Sequence, residues 1–195
     1  MIRLFTELYK PSLENITDKD LFQDATDKFV HYTKKCTSCG ASMKLAPYSV
    51  YERNLVSFEG GKAVERRVKP KRFKCASCGK THALLPDILA PYSPYSIRFK
   101  LSVLTAYFNR NTTVDAICQC FGIAASTLYR WKKLLLSHKE LLLGTLANQN
   151  EAPLSFLRGM LESAGFSEHL KNFFHQFDFS FMQPRPLVAA QNRSP

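Results

Sequence analysis

The sequence has no run of about twenty apolar residues, the length a membrane-spanning helix needs, so no membrane partner is expected. Acidic side chains are scarce: 16 Asp and Glu stand against 27 Lys and Arg, for a net charge of +11. Beyond residue 80 the acids are Asp87, Asp115, Glu140, Glu151, Glu162, Glu168 and Asp178, each isolated in the chain. Two-metal strand transfer needs carboxylates gathered on a strand framework, and no such grouping is visible. No serine–histidine–acid pattern stands out either, so the chain is expected not to be an enzyme. Residues 1–10 include Glu7 and lack the apolar block and small-residue cleavage site of a signal peptide.

Cysteine, in contrast, is arranged. Cys36-Thr37-Ser38-Cys39-Gly40 and Cys75-Ala76-Ser77-Cys78-Gly79 are two copies of a C-x-x-C-G knuckle. Such a turn points two thiolates at one ion, and the following glycine permits the positive φ the turn needs. Four soft anionic ligands, Cys36, Cys39, Cys75 and Cys78, suit one closed tetrahedral Zn²⁺, structural because no coordination position is left for water or substrate. The competing reading is redox dithiols or disulfides. It is weaker because two identical knuckles flank one insert and nothing points to an oxidising compartment. The insert reads as a hairpin: a β-prone stretch over 48–58, a turn at Glu59-Gly60-Gly61-Lys62, and a return over 63–74. Cys118 and Cys120 are not expected to be ligands, since residues i and i+2 on a helix point about 200° apart.

The positive charge is localised. Residues 31–80 carry twelve basic and three acidic side chains, and residues 96–139 carry seven basic and one acidic. Both terminal segments are slightly acidic, so the charge is a property of the centre of the chain, as a surface facing polyphosphate would have. The return strand holds Arg66, Arg67, Lys69, Lys71 and Arg72, which are expected to contact phosphate rather than form ion pairs. Alternation places Arg66 and Arg72 on one side and Arg67, Lys69 and Lys71 on the other, with an edge or bulge at Pro70. After the second knuckle, His82 is expected to join Thr81 in hydrogen-bonding the knuckle backbone; a fifth metal ligand or catalytic base is the minority reading.

Ser96 is positioned to cap a helix with apolar rows Ile97, Leu101, Leu104, Phe108 and Phe99, Val103, Tyr107. Residues 113–133 then give a second motif. Val114, Ile117, Cys118 and Phe121 form the stripe of a short helix, Gly122 closes it in the left-handed conformation, and Leu128 and Trp131 face inward from the next helix. This is helix-turn-helix patterning, and the second helix would lie in a DNA major groove. Its outward positions include Ser126, Thr127, Tyr129 and Arg130, with Lys132 and Lys133 beyond. Arg130 is the candidate guanine contact, and the lysines are candidate phosphate contacts. A plain α-hairpin core is the competing reading. His138 is expected to be packed or solvated rather than catalytic.

Elsewhere the pattern is structural. Leu4, Phe5, Leu8 and Tyr9 suggest a helical stripe, and Thr17 or Asp18 can cap a helix with Leu21, Ala25 and Phe29 inward. Leu154, Leu157, Leu161 and Ala164 suggest another helix, ended by Gly165. Ser167 can cap a last one carrying Leu170, Phe173, Phe174 and Phe177, and the phenylalanines of 156–181 read as core. The expected fold class is α+β: a small β-hairpin zinc ribbon followed by an all-α helix-turn-helix region with extra C-terminal helices. The expected division is an N-terminal helical appendage (1–35), a zinc ribbon (36–90), a connector ending near residue 95, a helix-turn-helix (96–147), a C-terminal helical segment (150–182) and a flexible tail (183–195).

The order of ribbon, Thr81-His82-Ala83-Leu84-Leu85-Pro86, and a helix pair running Gly122 to Trp131 resembles the small zinc-ribbon and helix-turn-helix proteins of bacterial mobile elements. These are transposase-like and mostly uncharacterised. The resemblance spans roughly residues 34–146 and implies double-stranded DNA binding, with the expected location cytoplasmic and nucleoid-associated. It departs from a full transposase in lacking an RNase H-like domain. The expected function is a zinc-containing DNA-binding protein acting in transposition or transcription, with RNA as a variant ligand. The alternative is a protein-interaction module of a recombination machinery, in which the Leu- and Phe-rich C-terminal helices form a homodimer or dock a recombinase.

Overall fold

The structure, a computed structural model, describes residues 2–4, 17–29, 34–143, 152–162 and 166–184. It is mixed α and β. In chain order the elements are β1 (Ile2–Leu4), α1 (Asp18–Asp27), β2 (Leu45–Val50), β3 (Arg53–Glu59), β4 (Lys62–Val68), β5 (Lys71–Cys75), β6 (Thr81–Pro86), α2 (Ile97–Asn109), α3 (Val114–Phe121), α4 (Ala125–Leu143), α5 (Pro153–Glu162) and α6 (Phe166–Phe177).

The insert between the cysteine pairs is one long hairpin folded into two sheets. Its tip is β3 against β4, antiparallel from Arg53↔Val68 to Glu59↔Lys62, turned at Gly60 and Gly61, which hold φ of 55° and 80°. Its base is β2 against β5, with Leu45 opposite Cys75 and an irregularity between Pro47 and Ser49. The break falls at Lys69-Pro70, where proline cannot supply a ladder N–H. Because the return strand is cut there, Arg66 and Arg67 belong to one sheet and Lys71 and Arg72 to the other, and the expected alternation does not run through. β6 adds antiparallel to β5, and β1 adds parallel to β6, giving the order β1-β6-β5-β2. Residues 2–4 are thus strand rather than the start of a helical stripe: Ile2 is buried beside Leu84, on the free edge of β6. The rest of that stripe lies outside the described residues.

Local chemistry sets the helix starts. Thr17 caps α1 in a capping box with Asp20. The Ser96 hydroxyl accepts from the Phe99 amide, and Thr113 does the same for Ala116. α1 buries Leu21, Phe22 and Ala25, and Phe29 after it meets Phe73 of β5 edge-on at 5.2 Å. Asp18 is also buried. Burial raises its carboxyl above the usual range, against the opposing pull of Ser96 and Arg98.

α2 is the central helix, with Ile97, Phe99, Leu101, Val103 and Leu104 all buried. Against it pack the tip of the hairpin through Leu55 and Phe58, α3 through Phe121, and α4 through Trp131; Phe99 meets the rings of Phe58, Phe121 and Trp131. α5 and α6 close the core with Phe156, Leu157, Met160, Leu170 and Phe173. The phenylalanines here are core, as the pattern indicated. The chain then turns back: Phe179, Ser180, Phe181 and Met182 are buried, so residues 179–182 are a built part of the core. The expected tail beyond residue 184 lies outside the described residues.

The stretch read as a connector is buried too. Residues 86–91 are inside, Leu89 pairs with Ser96, the Ser96 amide donates to the Val56 carbonyl and the Val56 amide to the Pro94 carbonyl. One apolar cluster therefore takes residues from both sides of the expected ribbon boundary.

Candidate metal centre and cationic surface

Each knuckle is closed by the same two backbone bonds. The Cys36 amide donates to Ala41 and the Gly40 amide to Cys36, both at 2.9 Å. The Cys75 amide donates to Lys80 at 3.0 Å and the Gly79 amide to Cys75 at 2.9 Å. Gly40 and Gly79 take φ of 74° and 70°, the left-handed conformation that a Cβ would strain. The Ala76 amide donates to the Lys44 carbonyl at 2.8 Å and holds the two turns together.

The four sulfurs of Cys36, Cys39, Cys75 and Cys78 all lie within 4.8 Å of one another. Cys36 Sγ is 3.7 Å from Cys78 Sγ, and Cys39 Sγ is 3.8 Å from Cys75 Sγ. A tetrahedral ion with metal–sulfur bonds of ~2.3 Å has sulfur–sulfur edges of about 3.8 Å. A disulfide requires ~2.05 Å, so the arrangement is that of ligands around one ion and not of two bridges. The Ser38 amide points at Cys36 Sγ from 3.4 Å and holds that thiol down, at about 6, while, against the pull of the Ala41 amide, burial and the neighbouring thiols push Cys39 up to about 11.

His82 lies beside this cluster and is 3 % exposed. Its Nε2 is 3.3 Å from Cys36 Sγ and its Nδ1 is 3.1 Å from Thr37 Oγ1. A thiolate only accepts, so Nε2 carries the proton and Nδ1 accepts from the Thr37 hydroxyl. His82 is thus neither a fifth ligand nor bonded to knuckle backbone. It orients a ligand sulfur from behind. Thr81 is exposed and accepts from Arg72 at 3.2 Å, not from the knuckle, because alternation along β6 turns its side chain outward.

The cations of the hairpin are less free than expected. Arg66 pairs with Glu59 at 2.7 Å, Arg67 with Glu52 at 2.9 Å, and Lys71 with Asp27 at 3.6 Å. Glu52 and Glu59 come from the facing side of the hairpin, and Asp27 from α1. Lys69 is exposed. The Arg67 pair keeps 74 % and 53 % of its side chains in water, where such pairs contribute only ~0–1 kcal/mol. A phosphate can displace it.

The helix pair differs. Gly122 ends α3 with φ of 61°, Ile123 is buried after it, and its amide donates to Cys118 at 3.0 Å. Leu128, Trp131 and Leu135 of α4 are buried. Ser126, Tyr129, Arg130, Lys133 and Ser137 are exposed, a stripe at helical spacing on the opposite face. Thr127 is half-buried. Lys132 donates to the Tyr107 hydroxyl at 2.9 Å and lies over that ring, so it is held there. Among the described residues no carboxylate pairs with Arg130 or Lys133. Cys118 is half-buried and Cys120 exposed, and neither joins the metal cluster.

Two cations escaped the sequence reading. Arg53 donates to the carbonyls of Ala90 and Ser93 and ties β3 to the 90–93 turn. Lys100 is 2 % exposed within α2. Its signal was present: it lies on the face of Ile97, Val103 and Leu104, a charge inside an apolar stripe. His138, expected to be packed or solvated, is packed, with Nδ1 accepting from the Met182 amide at 3.1 Å.

No helix among the described residues is long and apolar enough to cross a membrane. Neither a curated protein nor a solved structure matches the chain. Residues 36–131, from the first cluster cysteine to the inward tryptophan of α4, match the family model described as a domain of unknown function (DUF6431), so the chain is similar to that family over the stretch that carries the cysteine cluster and the helix pair.

Proposed function

We propose that the chain binds double-stranded DNA, with α3 and α4 acting as a helix-turn-helix and the cysteine cluster holding one structural Zn²⁺. The observation that carries the reading is the face of α4: Ser126, Tyr129, Arg130 and Lys133 line its exposed side over the first turns, and no acid offsets the two cations. The N-terminal turn of such a helix enters the major groove, where an arginine reads guanine through two hydrogen bonds. Ala124 offers no capping side chain, which counts against the pattern, and the Thr127 amide turns back to the Ala124 carbonyl at 2.9 Å, leaving the amides of Ala125 and Ser126 for a phosphate. Four thiolates select zinc among common divalent ions and leave no open position. The metal fixes the hairpin base, and the hairpin tip packs on α2 and α3. Lys69, Arg67 and Arg72 of the hairpin supply further phosphate contacts. The resemblance to small mobile-element proteins supports a role at element ends.

Fluorescence anisotropy on duplex DNA across a salt series tests this, with zinc content measured on the same sample. The expected result is one zinc and an affinity whose logarithm falls with log salt by about 0.9 per phosphate neutralised. Arg130→Ala should relax sequence preference at one base pair by ~1–3 kcal/mol, while Arg67→Ala should weaken all sequences alike. Zinc without any DNA affinity at low salt would sink the reading. Uniform weakening by both variants would remove α4 as the reading helix.

A further inference from the structure

Lys100 is a buried cation, and among the described residues no carboxylate pairs with it. Its Nζ donates to the Met182 carbonyl at 3.2 Å and lies 5.7 Å from the centre of the Trp131 ring. The charged groups that act on it are Arg53 and Arg130, both cations, and burial with their repulsion lowers its ammonium to about 7. An ammonium has three donors, and one carbonyl satisfies one of them. A buried charge left like this is costly unless something completes it.

Beside Lys100 is a cavity of about 380 Å³. It lies between α2, α4, the 91–95 turn and the 182–184 segment, and Arg130, Trp131, Leu134 and Met182 help to line it. No Asp or Glu lines it among the described residues. Two cations converge there on apolar and aromatic walls. The positive end wants an anion, and the walls want a hydrophobic body. A dianionic phosphate would lose too much hydration against such walls, whereas a carboxylate on a small apolar frame meets both demands.

We propose that this cavity is a binding site for a small organic carboxylate, with Lys100 as its buried counter-charge and Arg130 as its second donor. The site joins the core to α4, and Arg130 serves both the cavity and the exposed face. An occupant therefore draws the guanidinium inward and competes with DNA for it. That regulatory consequence rests on the DNA-binding reading; the binding site itself does not.

The chain has one tryptophan, and it lines the cavity, so intrinsic fluorescence reports occupancy directly. Benzoate is the probe, titrated into the full zinc-loaded chain. The expected result is a saturable change in Trp131 emission with a dissociation constant on the order of 1 mM, as a probe of that size gives at ordinary ligand efficiency. Lys100→Met removes a charge and keeps the length, and should weaken benzoate at least about tenfold. Leu134→Phe keeps Lys100 but fills the cavity, and should block benzoate while helix content by circular dichroism is unchanged. Benzyl alcohol, of the same shape without charge, should not saturate. No saturable change with benzoate, equal affinity for benzyl alcohol, or benzoate binding undiminished in both folded variants would overturn the site. In a separate arm, benzoate at saturation should lower DNA affinity several-fold in the native chain and not in Lys100→Met. Fluorescence saturation with unchanged DNA affinity would keep the site and overturn its link to Arg130.

Discussion

The hairpin base and the helical core bury different things. Around the cysteine cluster the buried apolar set among the described residues is Ile2, Cys36, Leu45, Phe73, Cys75 and Leu84, two of which are metal-ligand candidates. The other cluster gathers twenty-seven of the described residues, from the hairpin tip, the end of β6 and the stretch after it, all six helices, Ile123 and the 179–182 segment. Six side chains do little to offset the ordering cost of four strands and two knuckles, so the hairpin base is where a bound ion would contribute most. The helical core depends on area. Each region also buries one histidine, put to opposite use. His82 donates its proton to a ligand sulfur, while His138 stays neutral among Phe173, Phe179 and Phe181. With zinc in the cysteine cluster, as proposed, one chain would use coordination where the core is thin and packing where it is thick, and join them through β3 and β4.

The sharpest way to test that division is to remove the metal. Apparent zinc binding to such sites contributes ~10–16 kcal/mol at neutral pH, more than the hairpin base has otherwise. Chelation, or Cys75→Ser, should release one equivalent of metal and open residues 34–50 and 71–86 to hydrogen exchange. Protection in α2 and α5 should survive. If helix protection vanishes with the metal, the two regions are one cooperative unit and the comparison breaks.

Acid should act on the other region. Burial, with Lys100 nearby, pulls His138 from 6.5 down to about 4. Between those values the unfolded chain takes a proton that the folded chain refuses. Stability is therefore full above about 6.5, falls as pH drops, and loses up to roughly 3 kcal/mol by pH 4. The melting temperature should show this slope, and His138→Gln should flatten it while other acid effects remain. An unchanged slope in that variant would mean His138 is charged when folded, and the Met182 amide would then have no acceptor.

The smallest effect belongs to His82. Removing a group that orients a metal ligand costs about 10–100-fold in affinity. His82→Ala, competed against a chromophoric chelator, should lose metal by that factor and keep α2 to α6 intact. A loss of less than twofold would mean that the Ser38 amide alone holds Cys36.

Much of the site was legible beforehand because its chemistry is local. A C-x-x-C-G knuckle brings its ligands and its glycine within five residues, and the second copy supplies the other half. Gly122 and the caps at Thr17 and Ser96 were legible for the same reason: a left-handed turn or a first-turn amide is satisfied by a neighbour in sequence. The ion pairs were not. Lys71 meets Asp27 only because α1 packs across the sheet, and the acids near Lys71 in sequence gave no hint of it. Leu4 was set on a helical stripe rather than in β1 because so short a stretch does not separate strand from helix by its period.

By itself the sequence determined the four-cysteine cluster, the helix pair and the concentration of positive charge, since each follows from residue type and short spacing. The tertiary structure decided which cations are spoken for, which histidine backs the metal cluster, and that a lysine of α2 would be buried. Lys100 and Met182 are 82 residues apart, and no rule of spacing links them. Only the closing of α4 and the 178–184 segment over α2 removes the water that would otherwise have solvated that charge.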